Sequence, residues 1–207
     1  MSSETIQAEV RALCEAAHWC ASRGWVPATS GNFSVRDAQN RRIFISKSGL
    51  DKGRMTTADL LELDMDGGVV SGAGKPSAET ILHVILYRER IEANAILHVH
   101  SVWNTLLSQK LAEKGAVTLT GYELLKALEG VGTHDYEEVV PILPNTQNYS
   151  ELSVQMEVCL SANPLIHGVL LSGHGLYTWG RTVEDARRHL EALEFLFEVE
   201  GRRLFGS

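Results

Sequence analysis

The sequence predicts a single layered α/β domain that spans residues 1–207, and three observations support this fold class. Segments with apolar residues at helical spacing alternate along the chain with short apolar runs that are typical of strands. The chain has 207 residues, of which 44% are hydrophobic, and this is enough to bury one sizeable core. The sequence shows no internal repeats and no low-complexity segments, so nothing in it asks for a second domain.

The first half of the chain is predicted to contain a long helix, two strands, a hairpin and a second helix. Apolar residues three or four positions apart indicate the helices, and apolar runs that end in glycine and small polar residues indicate the strands. In chain order these are a helix at 3–23, strands at 29–36 and 41–49, a short helix and a hairpin within 56–70, and a helix at 77–90. Ser77 is the predicted N-cap of the last helix, and Glu79 lies in its first turn, where a carboxylate favours the helix dipole.

The second half continues the alternation of strands and helices. In chain order we expect a strand at 95–101, a helix capped by Ser101, a short helix at 124–128, an edge strand at 138–143, a helix from 150 to 160, a strand at 166–171 and a helix from 182 to about 200. The proline within 138–143 favours the edge position, because proline cannot donate to a sheet ladder. Thr182 and Asp185 resemble a capping box for the final helix.

Net charge, hydropathy and cysteine content limit which partners and which cellular compartment we expect. The net charge of −7 is spread along the chain, and this argues against nucleic acid or an anionic membrane surface as the partner. We see neither a signal peptide nor a membrane span, because no long uninterrupted apolar segment occurs. The three cysteines, Cys14, Cys20 and Cys159, fall in helical patterns and indicate reduced core thiols in a cytoplasmic protein.

Two histidines at the end of one predicted strand indicate a metal site. His98 and His100 are two residues apart, so in an extended strand their side chains share a face. A second apolar strand leads to His174, and the glycines on both sides of this histidine permit a tight turn. Three imidazoles with an open fourth position are typical of catalytic zinc. The alternative is a solvated His-x-His pair on an edge strand without a function.

Three short stretches are candidate anion sites. Ser30-Gly31-Asn32 and Lys47-Ser48-Gly49 bring small residues to strand ends, where backbone N–H groups can approach a phosphate. Lys75 stands just before the helix N-terminus at Ser77. Glycine with serine or asparagine is also the ordinary composition of turns, so each stretch by itself is a weak signal. The remaining histidines that lack a partner at metal-ligand spacing are expected to be structural: His83, His134, His167 and His189.

Taken together, five motifs in this order resemble the class II aldolase and adducin-like family. The motifs are SGN at 30–32, KSG at 47–49, KPSAET at 75–80, HVHS at 98–101 and GHG at 173–175, and they cover nearly the whole chain. The resemblance implies a three-layer α/β/α fold around a mostly antiparallel sheet, and one Zn²⁺ per subunit held by His98, His100 and His174. It also implies a homotetramer with sites at subunit interfaces, and a sugar-phosphate substrate.

The same resemblance implies where the phosphate and the catalytic carboxylate lie. The phosphate is expected near Asn32, Ser48, Gly49 and Ser77, whereas Ala78 departs from the aldolase pattern, in which a second serine helps to hold it. Two glutamates are candidates for the proton shuttle. Glu123 is preferred because it lies in the dehydratase-like stretch TGYELLKAL, and Glu79, which matches the aldolase glutamate, has a supporting or alternative role.

Within the family, KPSAET, TGYELLKAL and GTHDYEEVVPILPNTQ are similar to the members that dehydrate methylthioribulose 1-phosphate in methionine salvage. This implies removal of the substrate's C3 proton and loss of its C4 hydroxyl, with a metal ion as the Lewis acid. One alternative is an aldolase or epimerase that acts on another sugar phosphate. Another is a non-catalytic scaffold similar to the adducin head domains, which lack the metal ligands that this chain keeps.

Overall fold

The computed structural model describes residues 3–206, so residues 1, 2 and 207, the ends of the predicted domain, lie outside the described part. A nine-stranded sheet forms the centre of this part. Its strands are β1 (Asn32–Asp37), β2 (Arg42–Ser46), β3 (Leu60–Leu63), β4 (Val69–Ser71), β5 (Ala95–Val99), β6 (Ala116–Thr120), β7 (Glu137–Leu143), β8 (Gly168–Leu171) and β9 (Gly175–Gly180). Their order is β4-β3-β2-β1-β5-β9-β8-β7-β6, and neighbours pair antiparallel except β7 with β8.

Helices cover both faces of this sheet. They are α1 (Ser3–Ser22), α2 (Thr80–Glu89), α3 (Val102–Lys110), α4 (Tyr149–Ala162) and α5 (Val183–Phe205). One core joins α1, α3 and α5 to the sheet and includes Leu97, whereas α2 and α4 pack in a second core that includes Ile96. Adjacent residues of β5 enter opposite cores because side chains alternate across a strand. The prediction of a three-layer α/β fold with a mostly antiparallel sheet is therefore confirmed.

Two predicted helix caps are wrong, and one of these errors concerns a candidate site residue. Helix α2 begins at Thr80 with Glu79 in the N-cap position, and the Ser77 hydroxyl accepts a hydrogen bond from the Glu79 backbone N–H at 3.2 Å. The Glu79 side chain makes no capping bond, so its carboxylate is free for other contacts. Helix α4 is capped by Asn148, whose side chain accepts from the N–H of Glu151, and not by Ser150.

The far side of the sheet also differs from the prediction. Strand β7 lies between β8 and β6, so it is not an edge strand. Its proline, Pro141, is tolerated because β8 pairs with β7 only at Ile142 and Leu143, beyond the proline. Strands β6 and β9 were not predicted, and the short helix expected at 124–128 is a 3₁₀ helix over Glu123–Ala127.

Two further observations concern exclusions drawn from the sequence. Across residues 3–206, no helix is both long and apolar enough to cross a membrane. The three cysteines are free and buried, two of them in α1 and one in α4, as the helical pattern predicted.

Candidate active site

Three imidazoles meet at one end of the sheet. The side chains of His98, His100 and His174 each offer a nitrogen within 4.8 Å of the other two. The His98 ring lies 4.6 Å from the His100 ring and 5.2 Å from the His174 ring, centroid to centroid, and the last two rings are 4.5 Å apart. The structure therefore brings together the two segments that the sequence separates by more than seventy residues.

Strand pairing explains why these histidines converge. His98 lies on β5 between Asn32 of β1 and Tyr177 of β9, and its ring stacks on the Tyr177 ring with centroids 3.9 Å apart. His174 lies in the tight turn from β8 to β9, where Gly173 has a positive φ of 64°. A Cβ on the next residue, Gly175, would come within 2.9 Å of the His98 and His100 rings. Glycine is therefore required there for the rings to approach one another.

The hydrogen bonds of the three rings leave nitrogen atoms available to bind a metal ion. The Nδ1–H of His98 donates to the Leu176 carbonyl at 3.0 Å, which leaves the lone pair on Nε2. That Nε2 lies 2.8 Å from Nε2 of His100. Nδ1 of His174 is buried and has no hydrogen-bond partner among the described residues. Two imidazole nitrogens that face each other, with a third ring close to both, fit a bound cation, and the donor set suits zinc.

Burial keeps two of the imidazoles, those of His98 and His100, neutral. Loss of solvent lowers the pKa of His98 well below its ordinary value, and burial together with the nearby His174 ring lowers the pKa of His100 to about 4. Neutral imidazole is the form that binds metals. These two rings can therefore bind a metal at neutral pH without first losing a proton.

Among residues 3–206, one carboxylate reaches the cluster, that of Glu79. Its Oε1 lies 3.1 Å from Nε2 of His174 and its Oε2 lies 3.7 Å from Nε2 of His98. Oε2 also accepts a hydrogen bond of 2.6 Å from the side-chain amide of Asn32. Burial disfavours the charge of Glu79, but the hydrogen bonds from the His174 ring and the Asn32 amide favour it, and the pKa of Glu79 lies well below its usual range. The carboxylate is ionised beside the position that a metal would take.

A small cavity of about 140 Å³ opens beside the cluster. Four of the residues expected at the phosphate line it together with Glu79, His100 and His174; they are Asn32, Ser48, Gly49 and Ser77. The hydroxyl of Ser30 also lines this cavity and is buried without a hydrogen-bond partner among the described residues. A buried donor without a partner is costly unless a ligand or water satisfies it.

Lys75, which the sequence placed at a candidate anion site and which is the fifth residue expected to bind the phosphate, is not among the residues that line the cavity. Its side chain is exposed, and its backbone carbonyl accepts a hydrogen bond from the N–H of Ser48 at 2.9 Å. Lys47 lines the cavity instead, and its ammonium is 2.7 Å from a carboxylate oxygen of Asp59. A second, more open cavity of about 430 Å³ also includes His100 and His174 in its lining.

Sequence reasoning missed a buried lysine that holds two cavity loops together. The ammonium of Lys52 donates to the carbonyls of Thr29 and Leu50, each at 3.0 Å, and the residue is 1% exposed. Burial lowers the pKa of Lys52 to about 8. Ala28 and Thr29 both have a positive φ, which is strained for these residue types and is common at functional sites. Neither the strain nor the burial has a signal in the sequence.

The preferred glutamate of the sequence analysis lies elsewhere in the chain. Glu123 has a side chain that is 73% exposed, and one carboxylate oxygen pairs with Lys126. Its other oxygen lies 3.7 Å from Nδ1 of His134. Glu123 lines neither cavity at the three-histidine cluster. In a single copy of the chain, among residues 3–206, Glu79 is therefore the glutamate that contacts the three-histidine cluster.

The fold and the site define a class of protein: an α/β domain whose central sheet ends in three convergent imidazoles, one carboxylate and a small polar cavity. Residues 11–200 match the family model described as the Class II Aldolase and Adducin N-terminal domain. The chain belongs to the class II aldolase and adducin family.

Similar proteins include several with one shared name. Methylthioribulose-1-phosphate dehydratase of Methylococcus capsulatus is 49% identical over 190 residues, which cover 92% of this chain and 91% of that protein. The protein of the same name from Stenotrophomonas maltophilia is 49% identical over 188 residues, which cover 90% of this chain and 87% of the relative.

Solved structures show the same fold. An L-fuculose 1-phosphate aldolase has a TM-score of 0.79 at 23% identity, with 100% of this chain and 90% of that chain covered. The L-fuculose-1-phosphate aldolase from Thermus thermophilus has a TM-score of 0.75 at 25% identity, with 96% of each chain covered.

Proposed function

We propose that this protein dehydrates 5-methylthioribulose 1-phosphate to 2,3-diketo-5-methylthiopentyl 1-phosphate, a step of methionine salvage. The observation that carries the proposal is the 49% identity to a methylthioribulose-1-phosphate dehydratase over 92% of this chain. The convergence of the three histidines supports it, because the reaction needs a Lewis acid. The protein is accordingly a hydro-lyase, an enzyme that removes water from its substrate.

We propose Zn²⁺ as the cofactor, one per subunit, with His98, His100 and His174 as its ligands. Three nitrogen donors with an open position support this choice, although the same donors accept other divalent ions. A zinc ion held there supplies Lewis-acid chemistry, since it polarises the substrate carbonyl and spreads the negative charge that develops when the C3 proton leaves.

The small cavity supplies the phosphate site of the proposal. Asn32, Ser48, Gly49 and Ser77 surround it, and the unpaired Ser30 hydroxyl offers a further donor. A phosphate there would place the sugar's carbonyl end toward His100 and His174, which line both cavities. The rest of the carbon chain then extends toward the larger, more open cavity. Lys75 has the weakest support of the five expected phosphate residues, since its side chain is exposed.

The proton carrier of the proposal is Glu79. Breaking the C3–H bond transfers a proton to its carboxylate, and the same proton goes to the C4 hydroxyl as the C4–O bond breaks and water leaves. The enol that remains then tautomerises to the diketone. Support comes from the contact of Glu79 with His174 at 3.1 Å and from its place in the lining of the small cavity. Glu123 is the alternative carrier, and it would have to reach the cavity from a second copy of the chain.

We further propose that the enzyme is a homotetramer with its sites at subunit interfaces. Exposed apolar side chains on α3 and α5, two helices that pack against each other, support an interface on this face: Val102, Leu106, Phe195, Leu204 and Phe205. Light scattering on the purified protein tests the proposal, and a monomer at micromolar concentration contradicts it.

The experiment that tests the function is a product assay. Metal-replete protein is incubated with methylthioribulose 1-phosphate, and the diketone is followed by absorbance and mass spectrometry. The proposal expects a product that is lighter than the substrate by one water. A three-carbon phosphate plus an aldehyde would indicate an aldolase, and an isomer of unchanged mass would indicate an epimerase. Absence of bound metal together with unreacted substrate would favour a scaffold.

A further inference from the structure

Four buried side chains form one continuous hydrogen-bonded line that ends at the Glu79 carboxylate. The Tyr87 and Ser34 hydroxyl oxygens are 2.8 Å apart, and Ser34 Oγ lies 2.7 Å from Nδ1 of His83. Nε2 of the same ring lies 2.5 Å from Oδ1 of Asn32, whose Nδ2 lies 2.6 Å from Glu79. His83 and Ser34 are completely buried. The sequence had offered no function for His83.

Regular secondary structure places these residues opposite one another. Glu79, His83 and Tyr87 are four residues apart along α2 and its N-cap, so they share one face of the helix. Asn32 and Ser34 are two residues apart on β1, so they share one face of the strand. A polar row on the helix thus meets a polar row on the strand inside an otherwise apolar layer.

The chemistry of the groups fixes the direction of every hydrogen bond in the line. An ionised carboxylate only accepts, so the Asn32 amide must donate to Glu79 with its N–H and turn its oxygen to His83. Nε2 of His83 must then carry the proton, and Nδ1 must accept from the Ser34 hydroxyl. Tyr87 in turn donates to Ser34. Complete burial lowers the pKa of His83 to about 3, which agrees with the neutral ring that this direction requires.

We propose that His83 is a positioning residue: its Nε2–H holds the Asn32 amide in the orientation that fixes the Glu79 carboxylate beside the three histidines. Without that donor, the Asn32 amide is free to rotate, and the carboxylate loses one of its fixed contacts. Successive hydrogen bonds that point the same way also polarise one another, so each link strengthens the next. The inference rests on the proposed function, because it assigns His83 to the carboxylate that the reaction is proposed to use.

Two substitutions at position 83 separate positioning from packing. His83→Phe keeps a buried ring but removes both nitrogens, whereas His83→Gln keeps an N–H donor that can reach Asn32. We expect His83→Phe to lower kcat for methylthioribulose 1-phosphate about 100-fold, with bound zinc close to the wild-type value. His83→Gln restores part of that loss. Tyr87→Phe, which removes only the first donor of the line, has the smallest effect.

His189→Gln is the matched control. This histidine is also buried, but its ring donates to the Trp179 carbonyl and accepts from the Glu129 N–H, and it lines neither cavity at the three-histidine cluster. We expect its kcat to stay at the wild-type value. An equal loss of kcat in His189→Gln, or a loss of zinc that matches the loss of kcat in His83→Phe, would show a structural role and overturn the inference.

A readout without turnover keeps this test separate from that of the function. In a crystal structure of the zinc-loaded His83→Phe variant, we expect the Asn32 amide to be rotated and the Glu79 carboxylate to be displaced relative to the wild type. An unchanged Glu79 in that structure contradicts the inference whatever the enzyme's substrate is. A wild-type protein that forms no diketone contradicts the proposed function alone.

Discussion

Two groups of histidines lie at opposite ends of β8, and the hydrogen bonds of only one group suit a metal site. His174 follows the strand, where it meets His98 and His100, and His167 precedes the strand, where its ring lies 5.1 Å from the His189 ring. We call the second group the distal histidine pair. Each group also has a buried glutamate, Glu79 at the three-histidine cluster and Glu138 at the distal histidine pair.

The difference between the groups lies in where the ring nitrogens find partners. In the distal histidine pair every nitrogen is used: His167 faces a Glu138 oxygen at 3.0 Å and the Glu129 carbonyl at 2.9 Å, and His189 bonds to two backbone groups. At the three-histidine cluster, two nitrogens face each other and a third is unpaired. The two groups contain the same residue types. They differ in whether each ring nitrogen has a hydrogen-bond partner in the protein, and this distinguishes a structural pair from a ligand site.

The largest expected effect tests this separation directly. His100→Ala removes one of the facing nitrogens, so we expect bound zinc to be lost and turnover to fall by at least about 1,000-fold, because the Lewis acid contributes several kcal/mol. Metal analysis and the product assay measure both quantities. His167→Gln, at the distal histidine pair, should keep its zinc. A His100→Ala variant that binds zinc as tightly as the wild type would break the comparison.

The second effect distinguishes the two candidate carboxylates. Glu79→Gln keeps the shape of the side chain but removes the proton carrier, and we expect kcat to fall about 100-fold or more with zinc retained. Glu123→Gln, at an exposed position, is expected to keep most of its turnover. The reverse outcome, in which only Glu123→Gln is inactive, would assign the proton to Glu123 supplied by a second copy of the chain.

The third expected effect is a loss of stability caused by a substitution at the distal histidine pair. Glu138 accepts from both the backbone N–H and the ring Nδ1 of His167, at 2.8 and 3.0 Å. Glu138→Ala leaves the buried backbone N–H of His167 without its acceptor, so we expect the free energy of unfolding to fall by about 3 kcal/mol. Chemical denaturation measures this change. Because the pair is structural, kcat of the folded variant should equal that of the wild type, and a selective loss of kcat would contradict this assignment.

The smallest expected effect concerns Glu194, a buried glutamate near the three-histidine cluster. The side chains that donate hydrogen bonds to it are neutral. Glu194 accepts from the Asn104 amide at 2.8 Å, and burial raises its pKa from 4.5 to about 7. Between these values the unfolded chain releases the proton and the folded chain keeps it, so stability falls as the pH rises. Relative to Glu194→Gln, the wild type should lose about 2 kcal/mol between about pH 5 and pH 7. Denaturation at several pH values measures this difference, and a constant difference would contradict the raised pKa.

Local patterns accounted for most of the fold. The apolar spacing of α1 and α5, the Ser101 and Thr182 caps and the hairpin within 56–70 depend on residues close together in the chain, and the structure agrees with them. Apart from the cap of α4, which is local, two further errors concern partners from distant segments. The cap of α2 and the interior place of β7 depend on what the neighbouring layers or strands supply, and no local pattern carries that information.

The sequence by itself determined which imidazoles are available and that two of them share a strand face, because alternation along a strand is a local property. Tertiary structure alone decided which carboxylate joins them. Glu79 and Glu123 are both glutamates near the start of a helical segment, but only α2 packs against β1 and so brings its N-terminus to the cluster. The same packing gave His83 its partners, since hydrogen bonds across layers form only after distant segments meet.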